Sequence, residues 1–537
     1  MRRAVGVVAV MGVLGLSAVG TAEAEPVPRA TISWGPCTRA PSMVERLLGV
    51  QPRSPEDGEP MRAGVECATV RVPLDHREPY GQSIKLALNR IKGKVSRDHN
   101  HLGTLLVNPG GPGASGRELA GYVAAALPAD LADRFDIIGF DPRGVGRSEP
   151  SLRCVDPDKY FAPPRPDHVP KTAREEAVLV GRAQGYAARC GDLWAWMLPH
   201  LATEDSARDL DVIRRALGEE QISYLGYSYG TYLGAAYATL FPERVKRLVL
   251  DSSVNPDEIW YRANLSQDRS FDRRHREFLS WTARNRKVYK LGKTFKQTSF
   301  AWYSMRERLR AKPAGGVVGP SELDELYTVG GYTDAIWPQL AAAWSRYVRK
   351  GEVAGLVSAF RHYVKIDAST ENSYAVYLGV QCRDAAWPRD WSRWRADMTA
   401  LHRKAPFLTW SNAWYNAPCA FWAVPGGEPL RIEGSSKLPP VLMVQARGDA
   451  ATPYQGAVAM MKRFPTARMV VDPGGNHGLS LAGNACVDRA LARYLEDATL
   501  PVQTHCPKQA GPRPAERLSA GGRYRHERLT EILGVRG

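Results

Sequence analysis

The chain has 537 residues, 44% of them hydrophobic, and a formal net charge of +16. That length accommodates two domains, or one large domain carrying an insertion. The positive excess is arginine-rich and scattered, without a nucleic-acid motif or an internal repeat. Beyond the N-terminus no stretch reaches transmembrane length, so nucleic-acid binding and a stable membrane span are set aside.

Met1-Arg2-Arg3 is a short basic start, Ala4 to Ala18 an apolar run, and Ala22-Glu23-Ala24 a small-x-small cleavage site. Residues 1–24 therefore read as a secretory signal peptide, cleaved after Ala24, and the protein is expected to be secreted. Residues 25–64 are rich in proline and charge and read as a leader, either a propeptide remnant or a strap held by Cys37. Strand and helix patterns alternate over 65–254, with strands expected at Gly103 to Asn108, Phe135 to Asp141, Ile222 to Tyr227 and Lys246 to Asp251. Such alternation predicts an α/β fold with a mostly parallel, doubly wound sheet. Over 255–437 the sheet pattern stops, the period becomes helical, and 11 of the 14 tryptophans occur there. This segment reads as a large helical lid inserted after the strand that ends at Asp251. Trp387, Trp391, Trp394, Trp410, Trp414 and Trp422 either line an apolar substrate pocket or pack a helical core. The sheet pattern resumes over 438–506, and 507–537 reads as a polar, mobile tail.

Gly226-Tyr227-Ser228-Tyr229-Gly230 is a G-x-S-x-G pentapeptide between an expected strand and an expected helix. A serine on such a turn has its hydroxyl exposed to an incoming acyl carbon. The nucleophile needs a base, and in this arrangement the partners follow in the order Ser, Asp or Glu, His. Asp449 follows the expected strand Pro440 to Gln445, and His477 follows the next one, Arg468 to Val471. The catalytic candidates are therefore Ser228, Asp449 and His477, with Asp251 a rival for the acid. The loop Asn108-Pro109-Gly110-Gly111-Pro112-Gly113, after an early strand, is the place for an oxyanion donor. The expected pair is the backbone N–H of Gly111, with Gly110 as the alternative, and that of Tyr229.

The same loop contains Gly111-x-Gly113-x-x-Gly116, and Asp141 ends the next strand, which is formally a dinucleotide fingerprint. Pro112 stiffens the loop where a pyrophosphate would approach, and a nucleotide reading leaves Ser228, Asp449 and His477 unexplained. No cofactor is expected. The eight cysteines form no C-x-x-C, so no metal site is expected, and their even number in an exported chain points to disulfides. Proximity suggests Cys37–Cys67, Cys154–Cys190, Cys382–Cys419 and Cys486–Cys506.

Across Cys67 to Cys506 the chain resembles the secreted tripeptidyl aminopeptidases of the prolyl aminopeptidase-like serine peptidases, which have the alpha/beta-hydrolase fold. The resemblance rests on Val72-Pro73-Leu74-Asp75, the Asn108 loop, Asp141-Pro142-Arg143-Gly144-Val145-Gly146, Ala207-Arg208-Asp209-Leu210 and the Ser228 pentapeptide with Thr231. It continues through Gln381-Cys382-Arg383-Asp384, Gly448-Asp449 with Thr452-Pro453, and Gly475-Asn476-His477. It implies cleavage of short peptides from a free N-terminus, so the expected partners are peptides with a free ammonium. An anion in the lid is then needed, and Asp384 and Glu258 are the candidates. Ala450-Ala451 departs from the family pattern, which leads one to expect a polar residue before Thr452. A secreted carboxylesterase using the same triad, and a non-catalytic wall-binding protein on a hydrolase fold, are the alternatives.

Overall fold

The computed structural model describes residues 32–37, 64–515 and 525–533. The expected signal peptide and most of the leader lie outside the described residues. Among the described residues nine strands form one sheet: β1 Gly35–Pro36, β2 Val65–Pro73, β3 Ser83–Ile91, β4 Gly103–Asn108, β5 Phe135–Phe140, β6 Ile222–Tyr227, β7 Val245–Asp251, β8 Val441–Ala446 and β9 Ala467–Asp472. Their order is β1-β2-β3-β5-β4-β6-β7-β8-β9. β5, β4, β6, β7, β8 and β9 pair in parallel, while β1, β2 and β3 add an antiparallel edge. β5, β6 and β8 are buried at every position, because helices cover both faces of the sheet.

The strand order places the site. From β4 the chain steps to β5 on one side, then returns to β6 on the other. Adjacent loops at the carboxyl ends of β4 and β6 therefore diverge and leave a crevice, the usual ligand position in an open parallel sheet. Asn108 at the end of β4 pairs with Gly226 near the end of β6, so the Asn108 loop and the Ser228 turn face one another across that crevice.

One sheet face packs on helices Gly116–Ala126, Ala485–Asp497 and Arg525–Ile532. The other packs on Thr203–Ala216, Tyr229–Leu240 and Ala368–Asp384. Between β7 and β8 the described elements are all helical, from Tyr261 to Phe421. The first part of this insertion has an apolar core of its own, built around Phe271, Phe278, Trp302, Tyr327, Trp337 and Trp344. The later tryptophans settle the choice left open by the sequence in favour of packing. Trp387 stacks on Trp394, Trp391 on Trp394 and Trp414, and Trp410 on Trp414, with interplanar angles of 10° to 27°.

Two motifs that carry the resemblance, those of Arg143 and Asp209, form a buried brace. Arg143 donates to Asp209 through Nε at 2.8 Å and through a terminal nitrogen at 2.7 Å, and also to the carbonyls of Leu74, Pro73 and His200. His76 closes on the same aspartate at 2.8 Å. This cluster ties the β2 end to helix Thr203–Ala216, the helix that packs beside the Ser228 helix. All four disulfides join the neighbouring cysteines, Cys37–Cys67, Cys154–Cys190, Cys382–Cys419 and Cys486–Cys506.

The tail departs from expectation. Within the tail expected to be polar and mobile, Arg525–Ile532 is a helix whose His526, Leu529, Thr530 and Ile532 are buried. Its apolar residues meet Tyr227, Leu479 and Leu481, so burial outweighs the polar composition around them.

Buried histidines give the fold an acid limit. His275 lies flat on Phe407 at 3.9 Å and against the edge of Trp302, and burial pushes its pKa down to about 3. His168 is pushed to about 3 by burial and by Arg165. Both folded values lie below the unfolded one, so this stability is present above about pH 6.5 and lost as pH falls towards 3. At pH 4.5 each group is expected to cost on the order of 2 to 3 kcal/mol. Thermal unfolding between pH 7 and 4 should therefore be less acid-sensitive in His275→Phe, and parallel profiles for the two proteins would contradict this.

Candidate active site

The Ser228 turn is a strained strand-to-helix junction. Ser228 has φ 54° and ψ −127°, a region costly for a side-chain-bearing residue by about 1–3 kcal/mol. Its N–H donates to the Asp251 carbonyl at 3.0 Å, and its carbonyl accepts from the N–H and hydroxyl of Thr231. The flanking glycines are required by close approach: a Cβ at Gly226 would lie 2.3 Å from the Gly230 carbonyl oxygen, and one at Gly230 would lie 2.7 Å from that of Asn108. From Ile222 to Ala238 every residue is buried except Ser228.

His477 and Asp449 arrive together on the loops after β9 and β8. His477 Nδ1 is 2.9 Å and 3.1 Å from the two Asp449 carboxylate oxygens. Asp449 also accepts from the N–H groups of Ala451 and Thr452 and from the Thr452 hydroxyl, at 2.9 to 3.0 Å. Its carboxylate is thereby held in one orientation. The His477 N–H donates to the Tyr332 carbonyl at 2.8 Å, which fastens this loop to the inserted helices.

Asp251 does not face the imidazole. Its carboxylate accepts from Ser480 N–H at 2.6 Å, from Leu479 N–H at 3.0 Å and from the Ser252 hydroxyl. The rival acid thus shapes the loop that follows His477.

In the Asn108 loop the Gly110 N–H is already taken by the Asn108 side chain at 3.0 Å. Gly110 packs so tightly on the turn that a Cβ there would lie 2.8 Å from the Tyr229 nitrogen. Gly111 is on the cavity wall, and Tyr229 opens its helix, where an N–H has no intrahelical acceptor. The dinucleotide reading fails on the same loop. A Cβ at Gly113 would stand 2.3 Å from the Ser373 carbonyl oxygen, so the inserted helix occupies the space a pyrophosphate would need. Asp141 is buried and accepts from the Ser115 hydroxyl and the Arg147 N–H.

Ser228, Tyr229, Gly111 and His477 line one cavity of about 290 Å³. Glu258 is on its wall, held by the Ser266 hydroxyl at 2.9 Å, and is the one carboxylate among the described residues lining it. Asp384 does not line the cavity. It is buried behind Trp260, accepting from the Trp260 indole N–H at 3.0 Å and from the Thr203 N–H and hydroxyl at 2.6 and 2.7 Å. Since the Thr203 hydroxyl donates to Asp384, the Tyr229 hydroxyl donates in turn to Thr203. Trp260, Tyr332 and Leu533 also line the cavity. None was marked by a motif, because each reaches the wall from a segment distant in sequence.

The family model for the alpha/beta hydrolase fold matches residues 103–483. A tripeptidyl aminopeptidase of Streptomyces coelicolor is 44% identical over 459 residues, covering 84% of each chain. The chain belongs to the tripeptidyl aminopeptidase-like family of alpha/beta hydrolases. The serine protease Hip1 of Mycobacterium tuberculosis is 30% identical over 500 residues, covering 89% of this chain and 91% of that one. Carboxylesterase B of the same organism is 34% identical over 453 residues, covering 81% and 85%. This alpha/beta hydrolase is a serine hydrolase of the peptidase kind, with the mostly parallel sheet expected from the sequence.

The Asp384 carboxyl supplies a test of the cavity's support. Burial pushes its pKa up to about 6 from an ordinary 3.8, against the opposing bonds from Thr203 and Trp260. A folded value above the unfolded one means a contribution that is fullest below pH 3.8 and is lost as pH rises through 6. The stability of the wild type relative to Asp384→Asn should therefore fall between pH 4 and 7, by on the order of 3 kcal/mol. Urea unfolding of both proteins across that range measures it, and a difference that grows with pH would contradict the assignment.

Proposed function

We propose that this protein is an exported serine exopeptidase that releases tripeptides from free N-termini through an acyl-enzyme. The observation that carries the reading is the cavity shared by Ser228, His477 and Glu258, the one carboxylate among its described lining residues. Ser228 Oγ attacks the scissile carbonyl carbon while its proton passes to His477. Asp449 holds Nδ1, so Nε2 is the basic nitrogen, and the carboxylate stabilises the imidazolium that forms. The tetrahedral oxyanion is met by the N–H groups of Gly111 and Tyr229. Collapse expels the amine with the proton from Nε2 and leaves the tripeptide esterified to Ser228, and water then repeats the cycle.

Glu258 pairs with the substrate ammonium. A desolvated ammonium without a partner is costly, and a carboxylate at the wall offsets that cost. Asp384 acts instead through Trp260 and Thr203, as a support for the wall. Export is supported by the four disulfides, which persist in oxidising compartments, and by the signal-peptide pattern of residues 1–24.

The carboxylesterase reading keeps one specific support, the relative named Carboxylesterase B. It uses the same acyl-enzyme, so the substrate must decide. Free tripeptide anilides should be cut far faster than acetyl-capped ones, and Glu258→Gln should narrow that gap with most of the change in kcat/KM. Equal rates on capped and free substrates, with faster cleavage of simple esters, would favour the esterase.

The triad has its own test. A serine-directed phosphonate should label the protein once, at Ser228, and Ser228→Ala should abolish the label. Asp449→Asn should lower turnover by about 10⁴-fold, because the amide no longer favours the useful tautomer. Asp251→Asn should cost at least tenfold less, with both variants folded by circular dichroism. The reverse ranking would move the acid to Asp251.

A further inference from the structure

The C-terminal helix reaches the cavity. Leu533, just beyond Arg525–Ile532, lines it together with Ser228 and His477. The segment is docked by specific contacts as well as by apolar burial. His526 Nδ1 is 2.9 Å from the Thr333 hydroxyl, beside the inserted helix that ends at Tyr332. The Tyr363 hydroxyl donates to Glu527 at 3.2 Å, and the Tyr122 hydroxyl reaches the Arg525 carbonyl at 3.3 Å. Leu529 and Leu533 close over Gly478: a Cβ there would lie 2.6 Å from Leu533 Cδ1 and 3.5 Å from Leu529 Cδ2. Gly478 has φ +74°, so the residue after His477 is required both by its conformation and by this contact.

We propose that the Arg525–Leu533 segment forms the leaving-group wall of the active cavity, with Leu533 selecting the residue that follows the scissile bond. The step that points to this side is proton return. The histidine gives its proton to the departing amine, so that amine leaves beside His477. Leu533 packs on the very next residue and is apolar, so an apolar side chain on the departing amine is favoured there and a charged one is disfavoured. The inference rests on the serine-peptidase reading given above.

The test holds one free tripeptide fixed and varies the amide that leaves it: glycinamide, leucinamide, phenylalaninamide and lysinamide. The wild type should favour leucinamide over glycinamide and over lysinamide in kcat/KM. Leu533→Ala should reduce the leucinamide-to-glycinamide ratio by about tenfold, and Leu533→Glu should raise the ratio of lysinamide to leucinamide. Leu533→Met, which keeps volume and apolarity, should retain the wild-type order, and it also serves if the shorter side chain disturbs folding. Deacylation, measured by following turnover after an ester burst, contains no leaving group and should not track these ratios. A loss equal for all four amides, or ratios unchanged within about twofold, would overturn the proposal. Failure of the underlying reading would look different: the wild type would cut none of the four amides, whatever stands at residue 533.

Discussion

Asp251 is the residue through which the two halves of the site are joined. Its carbonyl accepts the Ser228 N–H, and its carboxylate accepts the N–H groups of Leu479 and Ser480 just after His477. One buried residue at the end of β7 therefore sets the distance between the strained turn and the histidine loop. Burial pushes its pKa upward, and the hydrogen bonds from Ser252, Leu479 and Ser480 oppose that shift. Such a group is costly to bury alone and acceptable when every lone pair is occupied. The rigidity matters because a serine hydroxyl and its base must be held to within fractions of an ångström for proton transfer.

The inserted helices contribute to this site in two ways. They support it from outside, through the Tyr332 carbonyl under His477 and through Ser373 packed on Gly113. They also form its roof, with Glu258 and Trp260 on the segment that leads into them. Their own cohesion uses buried ion pairs beside the aromatic core. Arg306 is shared between Asp167 and Asp324 at 2.6 and 2.8 Å, and Arg165 is shared between Glu322 and Glu325. Buried pairs of this kind contribute less to stability than an apolar replacement can, but breaking one partner leaves an uncompensated charge. They tie the 163–171 loop to the inserted helices in one register.

The C-terminal helix shows the same logic from the opposite sheet face. It covers the His477 loop with leucines whose neighbours in sequence are charged. The segments after β4, β6, β7, β8 and β9, the inserted helices and Leu533 after this last helix all line one cavity, so its wall draws on segments several hundred residues apart.

The alternation of strand and helix, the strand-bounded pentapeptide and the order Ser228, Asp449, His477 were legible in the sequence because each is a local pattern with a local cause. Buried parallel strands read as apolar runs, and a tight turn needs its glycines wherever it occurs. The cysteine pairs were legible for the same reason, since each closes a short loop. What lies across the crevice was decided only by the tertiary structure. Asp384 and Glu258 looked equivalent as acidic residues near the lid, yet one is buried behind Trp260 and the other faces the cavity. For the tryptophans the sequence left pocket lining and core packing open, because composition does not say which side of a helix meets another ring. The tail read as polar and mobile because its charged residues dominate locally, whereas its few leucines are complementary to Gly478 and Leu481, which only the folded sheet brings within reach. Covalent neighbours set backbone conformation; which side chains share a wall depends on contacts between distant segments, and those exist only once the chain has closed on itself.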